Sequence, residues 1–147
     1  MYEETITLKR ADDSTRSYVE ALLENNGLPS QDIRSKRECF YIAHDGADPV
    51  GIGGIETHGS DGLLRSVVIE QSARGRGLGT ALCDSLEATA SADGIERLYL
   101  LTTTAADFFA ARGYAEIERA DAPARIQQTT EFDELCPTTA TCMKKPV

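Results

Sequence analysis

Residues Leu63 to Ala90 constrain this chain more than any other stretch. An apolar run, Leu63-Leu64-Arg65-Ser66-Val67-Val68-Ile69, gives way to a short polar link, and then Arg74-Gly75-Arg76-Gly77-Leu78-Gly79-Thr80 opens a helical pattern. The run has the length and β-branched content of a strand, and Ala81 to Ala88 has helical spacing, with Leu82 and Leu86 one turn apart. The glycines therefore fall between a strand and a helix. They permit positive φ and leave backbone N–H groups uncovered, so that these can converge on an anion. The helix behind adds free N–H groups and the positive end of its dipole, and Arg74 and Arg76 add cations. The pattern is that of a phosphate cradle; a glycine-rich turn with no ligand is the plain alternative.

Spacing narrows the phosphate. No Lys-Ser or Lys-Thr follows the last glycine, which excludes a Walker loop, and Gly75-x-Gly77-x-Gly79 lacks the third glycine of the dinucleotide fingerprint. What fits is R-x-x-G-x-G, Arg74-x-x-Gly77-x-Gly79, directly after a strand ending Val67-Val68-Ile69. Here the chain resembles the GNAT superfamily of acetyl-CoA-dependent N-acetyltransferases. A second landmark is similar to the same superfamily: Leu100-Leu101-Thr102-Thr103-Thr104-Ala105-Ala106, then Phe108-Phe109-Ala110-Ala111-Arg112-Gly113-Tyr114, a strand followed by a short helix ending in aromatics and Gly-Tyr.

A chain of 147 residues suits one domain, residues 1–147. With no long apolar run or targeting segment, the expectation is a cytoplasmic protein without membrane partners. A formal charge of −9 argues against nucleic acid as a partner. Only Lys9, Lys36, Lys144 and Lys145 are lysines, and acidic residues are spread along the chain, a composition compatible with high salt but silent about chemistry.

In order, Thr5 to Arg10 alternates as a strand; Asp12 or Asp13 caps a helix with Tyr18, Val19 and Leu22 on its apolar stripe, stopped at Asn25-Asn26-Gly27; Ser30 to Ser35 forms a further helical turn. Cys39–Ala43 and Val50–Glu56 form a hairpin about a turn at His44–Pro49, and a turn at Gly59–Gly62 leads into the central strand. Glycines inside the third strand imply a bulge or a close backbone approach. After the central helix come a strand at Arg97–Thr102, a helix at Ala105–Arg112, a strand at Tyr114–Glu118, a helix from Pro123 to about Leu135 burying Ile126, Phe132 and Leu135, and a last strand at Ala140–Lys144. The fold class is α/β (α+β): a mixed, largely antiparallel sheet of about seven strands with helices on both faces. The resemblance implies that the fourth and fifth strands, a parallel pair, splay apart at a bulge and admit the pantetheine arm.

The resemblance also implies roles. Acetyl-CoA is the donor; Val67, Val68, Ile69, Thr102 and Phe109 line its slot, and Arg74, Gly75, Arg76, Gly77, Leu78, Gly79 and Thr80 hold its pyrophosphate. Acetyl transfer needs an oxyanion donor, assigned to a backbone N–H at Val67 or Val68, and a base, for which Glu56 at the end of the third strand is the candidate, acting through water. The alternative for Glu56 is an exposed strand-end glutamate. Phe109 stands where the family often has an acid tyrosine, so either Tyr41, Tyr99 or Tyr114 substitutes or the thiolate, of pKa about 8–9, leaves unassisted.

Cys39, Cys83, Cys136 and Cys142 lack zinc spacing, and a reducing compartment argues against a disulfide framework. The segments Leu135 to Met143, Gly27-Leu28-Pro29-x-x-Asp32, Leu63-Leu64-Arg65-Ser66 and Leu98 to Thr104 are similar to GNAT proteins encoded in arsenic-resistance operons. That resemblance implies a small-molecule amine as acceptor, an organoarsenical or a phosphinate amino acid, with Arg65 facing its anionic group. Cys136 and Cys142 are alternatively an arsenite site or simply buried apolar residues. A monomer or homodimer is expected. The competing reading is a non-catalytic sensor of acyl-CoA or arsenite on the same fold.

Overall fold

The computed structural model describes residues 6–26, 39–73, 77–103, 105–129 and 140–147. Their elements, in order, are β1 (Thr7–Arg10), α1 (Arg16–Asn25), β2 (Phe40–Asp45), β3 (Asp48–His58), β4 (Asp61–Ile69), α2 (Leu78–Ala92), β5 (Arg97–Thr102), α3 (Ala106–Ala111), β6 (Ala115–Ile117), α4 (Ala124–Gln127) and β7 (Thr141–Pro146). The strands form a seven-stranded sheet in the order β1-β2-β3-β4-β5-β7-β6. Its neighbours are antiparallel except β4 and β5, which the α2 crossover makes parallel.

Both hairpins are tighter than the composition suggests. Gly46 (φ 65°) and Gly59 (φ 69°) take the positive φ that a two-residue turn demands, so pairing continues past the expected turns at His44–Pro49 and Gly59–Gly62. His44 and Asp45 pair with Pro49 and Asp48, and Thr57 and His58 pair with Gly62 and Asp61. β3 therefore runs two residues beyond Glu56.

One face of the sheet carries α2 and α3. Leu78, Leu82, Leu86 and Ala90 of α2 meet Tyr41, Ala43, Ile55, Leu64, Leu98 and Leu100. The approach is close: a Cβ on Gly53 would lie 2.5 Å from Leu86 Cδ1, which is why β3 carries a bare backbone there. On the opposite face α1 buries Val19, Leu22 and Leu23 against Phe40, Ile42, Ile52 and Val68. A second cluster on that side joins Ile126 of α4 and Ala122 to Leu63, Tyr99 and Cys142.

Two helix boundaries differ from expectation. The α1 N-cap is Thr15, with no side-chain cap bond; Asp12 instead accepts from the backbone N–H groups of Ser14 and Thr15 in the preceding turn. The helix expected to run from Pro123 to Leu135 stops at Gln127. Thr129 directs both its N–H and its hydroxyl to the Ile126 carbonyl, at 3.1 and 2.7 Å, a tight closure that ends the turn. Phe132, Leu135 and the Ser30–Ser35 turn lie outside the described residues.

Candidate active site

The site begins with an irregularity in β4. Ile52 pairs with Val68 and Gly54 with Arg65, so Ser66 and Val67 together oppose Gly53 alone. The extra residue is accommodated by Ser66 at φ 59°, the one non-glycine with positive φ among the described residues. This is a β-bulge carrying local strain, of the kind that ends strand pairing and re-aims backbone groups.

On the other side of β4, pairing with β5 covers Asp61–Arg97, Gly62–Leu98 and Leu63–Tyr99 and then stops. β5 continues to Thr102 in register with β7. From Leu64 to Ile69, β4 thus has no ladder partner on β5, and the two strands bound an open slot floored at Leu63 and Tyr99. Val67, Val68 and Ile69 lie on this unpaired stretch of β4, and Thr102 ends β5.

At the open end of the slot, Gly77 (φ 75°) is the N-cap of α2 with no side-chain cap bond, and no acidic residue occupies the first helical turn. A 15-residue helix thus presents its positive end, at Leu78, Gly79 and Thr80, without a competing carboxylate. A side chain at Gly79 would only touch Phe108 Cζ and Ile69 Cγ1 at 3.9 and 4.0 Å, so packing does not require glycine there. Arg74, Gly75 and Arg76 lie outside the described residues.

The adjacent aromatics divide their work. Phe109 is buried and packs edge-on to Tyr114 at 5.4 Å, inside the apolar core. Phe108 is 38% exposed and is the aromatic beside Gly79. Two neighbouring phenylalanines on a six-residue helix offer no periodicity to distinguish them, and the sequence reading singled out only Phe109.

On the α1 and α4 side of the sheet, next to the bulge, is a buried polar chain. Arg65 Nη1 donates to Glu56 Oε2 at 3.0 Å, and Arg65 Nε donates to Ser66 Oγ at 3.3 Å. His58 Nε2 lies 3.5 Å from Glu56 Oε1. The Arg65 and Glu56 side chains are 0% and 2% exposed, and the Arg65 guanidinium sits 5.4 Å from the Phe40 ring centroid. Glu56 is therefore not the exposed strand-end residue that was one expectation; the two further residues of β3 enclose it. An ion pair this deep costs desolvation that its own attraction barely offsets, and such groups concentrate where chemistry is done.

The three candidate tyrosines differ in their surroundings. Tyr41 accepts from Arg10 Nη2 at 3.1 Å on β2. Tyr114 donates to Glu87 Oε2 at 3.1 Å, and burial followed by the Glu87 charge pushes its pKa up. Burial, with Asp61 nearby, raises Tyr99 as well. Burial pushes the thiols of Cys83 and Cys142 up to about 11, so both are protonated at neutral pH. Cys136 is outside the described residues. Among those described, no three metal-ligating side chains cluster, and no helix is long and apolar enough to cross a membrane.

Comparison with known proteins agrees with this geometry. Residues 36–116, more than half of the chain, match the family described as acetyltransferase (GNAT) domain. An amino-acid acetyltransferase of Mycobacterium tuberculosis is 34% identical over 88 residues, which are 59% of this chain and 47% of that relative. The chain thus spans about half the length of the curated relative it matches. Among solved structures, N-acetylglutamate synthase from Neisseria gonorrhoeae, complexed with coenzyme A and N-acetyl-glutamate, superposes with a TM-score of 0.83 at 19% identity, covering 99% of this chain and 36% of that one. A Mycobacterium tuberculosis protein in complex with CoA and NLQ gives 0.80 at 22% identity, covering 96% and 99%. The bulged central pair, whose pairing ends at Leu63 and Tyr99, and the glycine-capped helix behind it belong to a chain that is a member of the acetyltransferase (GNAT) domain family.

Proposed function

We propose that this protein transfers the acetyl group of acetyl-CoA to the primary amine of a small molecule that also carries an anionic group. The observation that carries the reading is the direct contact between the strained bulge at Ser66 and the buried Arg65–Glu56 pair. The slot between β4 and β5 takes the pantetheine arm as an added strand, with backbone groups of Val67 and Ile69 as its partners. The N-terminus of α2, with Arg74, Gly75 and Arg76 before it, holds the pyrophosphate.

The amine nitrogen attacks the thioester carbonyl, and a backbone N–H at Val67 or Val68 stabilises the oxyanion. Glu56 takes the ammonium proton through a water, and the C–S bond then breaks to release coenzyme A as thiolate. Phe109 supplies no acid, and the thiolate leaves without a tyrosine proton. Arg65 recognises the acceptor's carboxylate, phosphinate or arsinate, the planar bidentate task for which a guanidinium is suited. The relatives named for amino-acid acetylation or complexed with N-acetyl-glutamate support an anionic amine as the class. The narrower assignment, detoxification of an organoarsenical or phosphinate amino acid, rests on the motif resemblance described above.

The test is acetyl-CoA-dependent thiol release with a panel of glutamate, a phosphinate amino acid, an arsinate amino acid and a cationic amine without an anionic group, such as a polyamine. Turnover is expected with the anionic amines and not with the polyamine. Acetyl-CoA binding without turnover on any amine would overturn the enzymatic reading in favour of a sensor; preference for the polyamine would overturn the role of Arg65.

A further inference from the structure

A base buried to 2% exposure has to dispose of the proton it receives, and the described residues supply a route. His58 lies two residues from Glu56 on the same strand and so on the same face of the sheet. Its Nε2 is fully buried, has no hydrogen-bond partner among the described residues, and lies 3.5 Å from Glu56 Oε1. The side chain as a whole is 25% exposed, so the remainder of the ring reaches water. The other carboxylate at this end, Asp61, pairs with His58 in register but is held by Arg97 Nε at 3.0 Å. One ring nitrogen is therefore turned inward to Glu56 while the rest of the ring meets solvent.

We infer that His58 is a positioning residue that relays the acceptor's proton from Glu56 to bulk water. The inference rests on the proposed role of Glu56 as base. The proton leaving the ammonium goes by way of water to the Glu56 carboxylate, then to His58 Nε2, and the imidazolium loses its Nδ1 proton to solvent. Each turnover returns Glu56 to carboxylate and His58 to neutral imidazole carrying its proton on Nε2; a flip of the ring then turns the unprotonated nitrogen back to Glu56, with no other reagent required. Imidazole suits the task because its two nitrogens can accept and release a proton on opposite sides of one ring. The ion pair with Arg65 keeps the carboxylate in place through the cycle.

The experiment measures kcat and KM, with acetyl-CoA and the best anionic acceptor of the panel, for His58→Gln, His58→Gly with and without added imidazole, Glu56→Gln, and His44→Gln as a control on β2. For His58→Gln, kcat is expected to fall about tenfold with both KM values unchanged; imidazole should restore much of the rate of His58→Gly; and Glu56→Gln should lose about a hundredfold or more. Full kcat in His58→Gln beside a disabled Glu56→Gln would overturn the relay and leave the base in place. Raised KM with no rescue by imidazole would mean that His58 only packs, which also overturns it. Full kcat in Glu56→Gln, or no turnover on any amine by the wild type, would remove the reading on which the relay rests.

Discussion

Two glutamates in this molecule each gather two basic partners, and the contrast between them separates fastening from chemistry. Glu87 of α2 binds Arg112 Nη2 at 3.0 Å and Lys145 Nζ at 2.9 Å and accepts from the Tyr114 hydroxyl, while Arg112 also reaches Asp84. This cluster sits at the rim, with Glu87 12% and Lys145 23% exposed, and ties α2 to the turn after α3 and to β7. Water can satisfy its members if the contacts break, so its effect is modest and falls with salt. Glu56 and Arg65 have no such recourse. They interrupt an apolar face between two core clusters, beside the bulge, where a hydrophobic pair of similar size would fold at least as well. The rim cluster is explained by stability; for the interior one we propose a chemical role.

The sharpest break in that comparison would come from Arg65. Arg65→Met leaves the Glu56 charge buried beside an apolar side chain and should lower stability by about 3–5 kcal/mol in urea unfolding. Adding Glu56→Leu should bring stability back to within about 1 kcal/mol of wild type while acetyl transfer stays lost. A double variant that recovers both would make the interior pair as structural as the rim.

The buried thiols predict a pH effect of the next size. Cys83 and Cys142 have folded values of about 11 against 9.0 in the unfolded chain, so the folded state holds their protons more tightly. Their contribution is fully present below pH 9.0 and is lost as pH rises through about 11, a fall of about 3 kcal/mol per thiol in the free energy of urea unfolding. Alanine in place of either cysteine should flatten that fall. Gly53→Ala, which drives a Cβ into Leu86, should cost about 1–3 kcal/mol without altering acetyl-CoA affinity. Smallest of all, Glu87→Gln should cost about 1 kcal/mol, less in high salt, and leave kcat unchanged.

The same contrast marks what could be read from the residues alone. The central strand, the glycine turn and α2 are local features with local signatures, and so are the two hairpins, though Gly46 and Gly59 made their turns shorter than the polar stretches around them suggest. The sheet's splay came from resemblance rather than spacing. The partnership of Arg65 and Glu56 depends on hairpin register, which places Glu56 across from Leu63 and Arg65 across from Gly54; nothing in either residue's neighbours announces it. Thr57 and His58 look like the start of a turn, and that is why Glu56 read as a strand end. Likewise Thr129 ends α4 through a side-chain bond that a stripe of apolar residues does not reveal.

The account stands on the slot between β4 and β5 and the cradle at α2 being one acetyl-CoA site. The thermal melting shift with acetyl-CoA, against coenzyme A, ATP and NAD, tests this most directly. At about a hundred times its Kd, acetyl-CoA should stabilise the fold by ~2.7 kcal/mol, a shift of several degrees, with ATP and NAD well behind. A folded sample whose melting is indifferent to acetyl-CoA, or that responds equally to ATP, would contradict the account at its base.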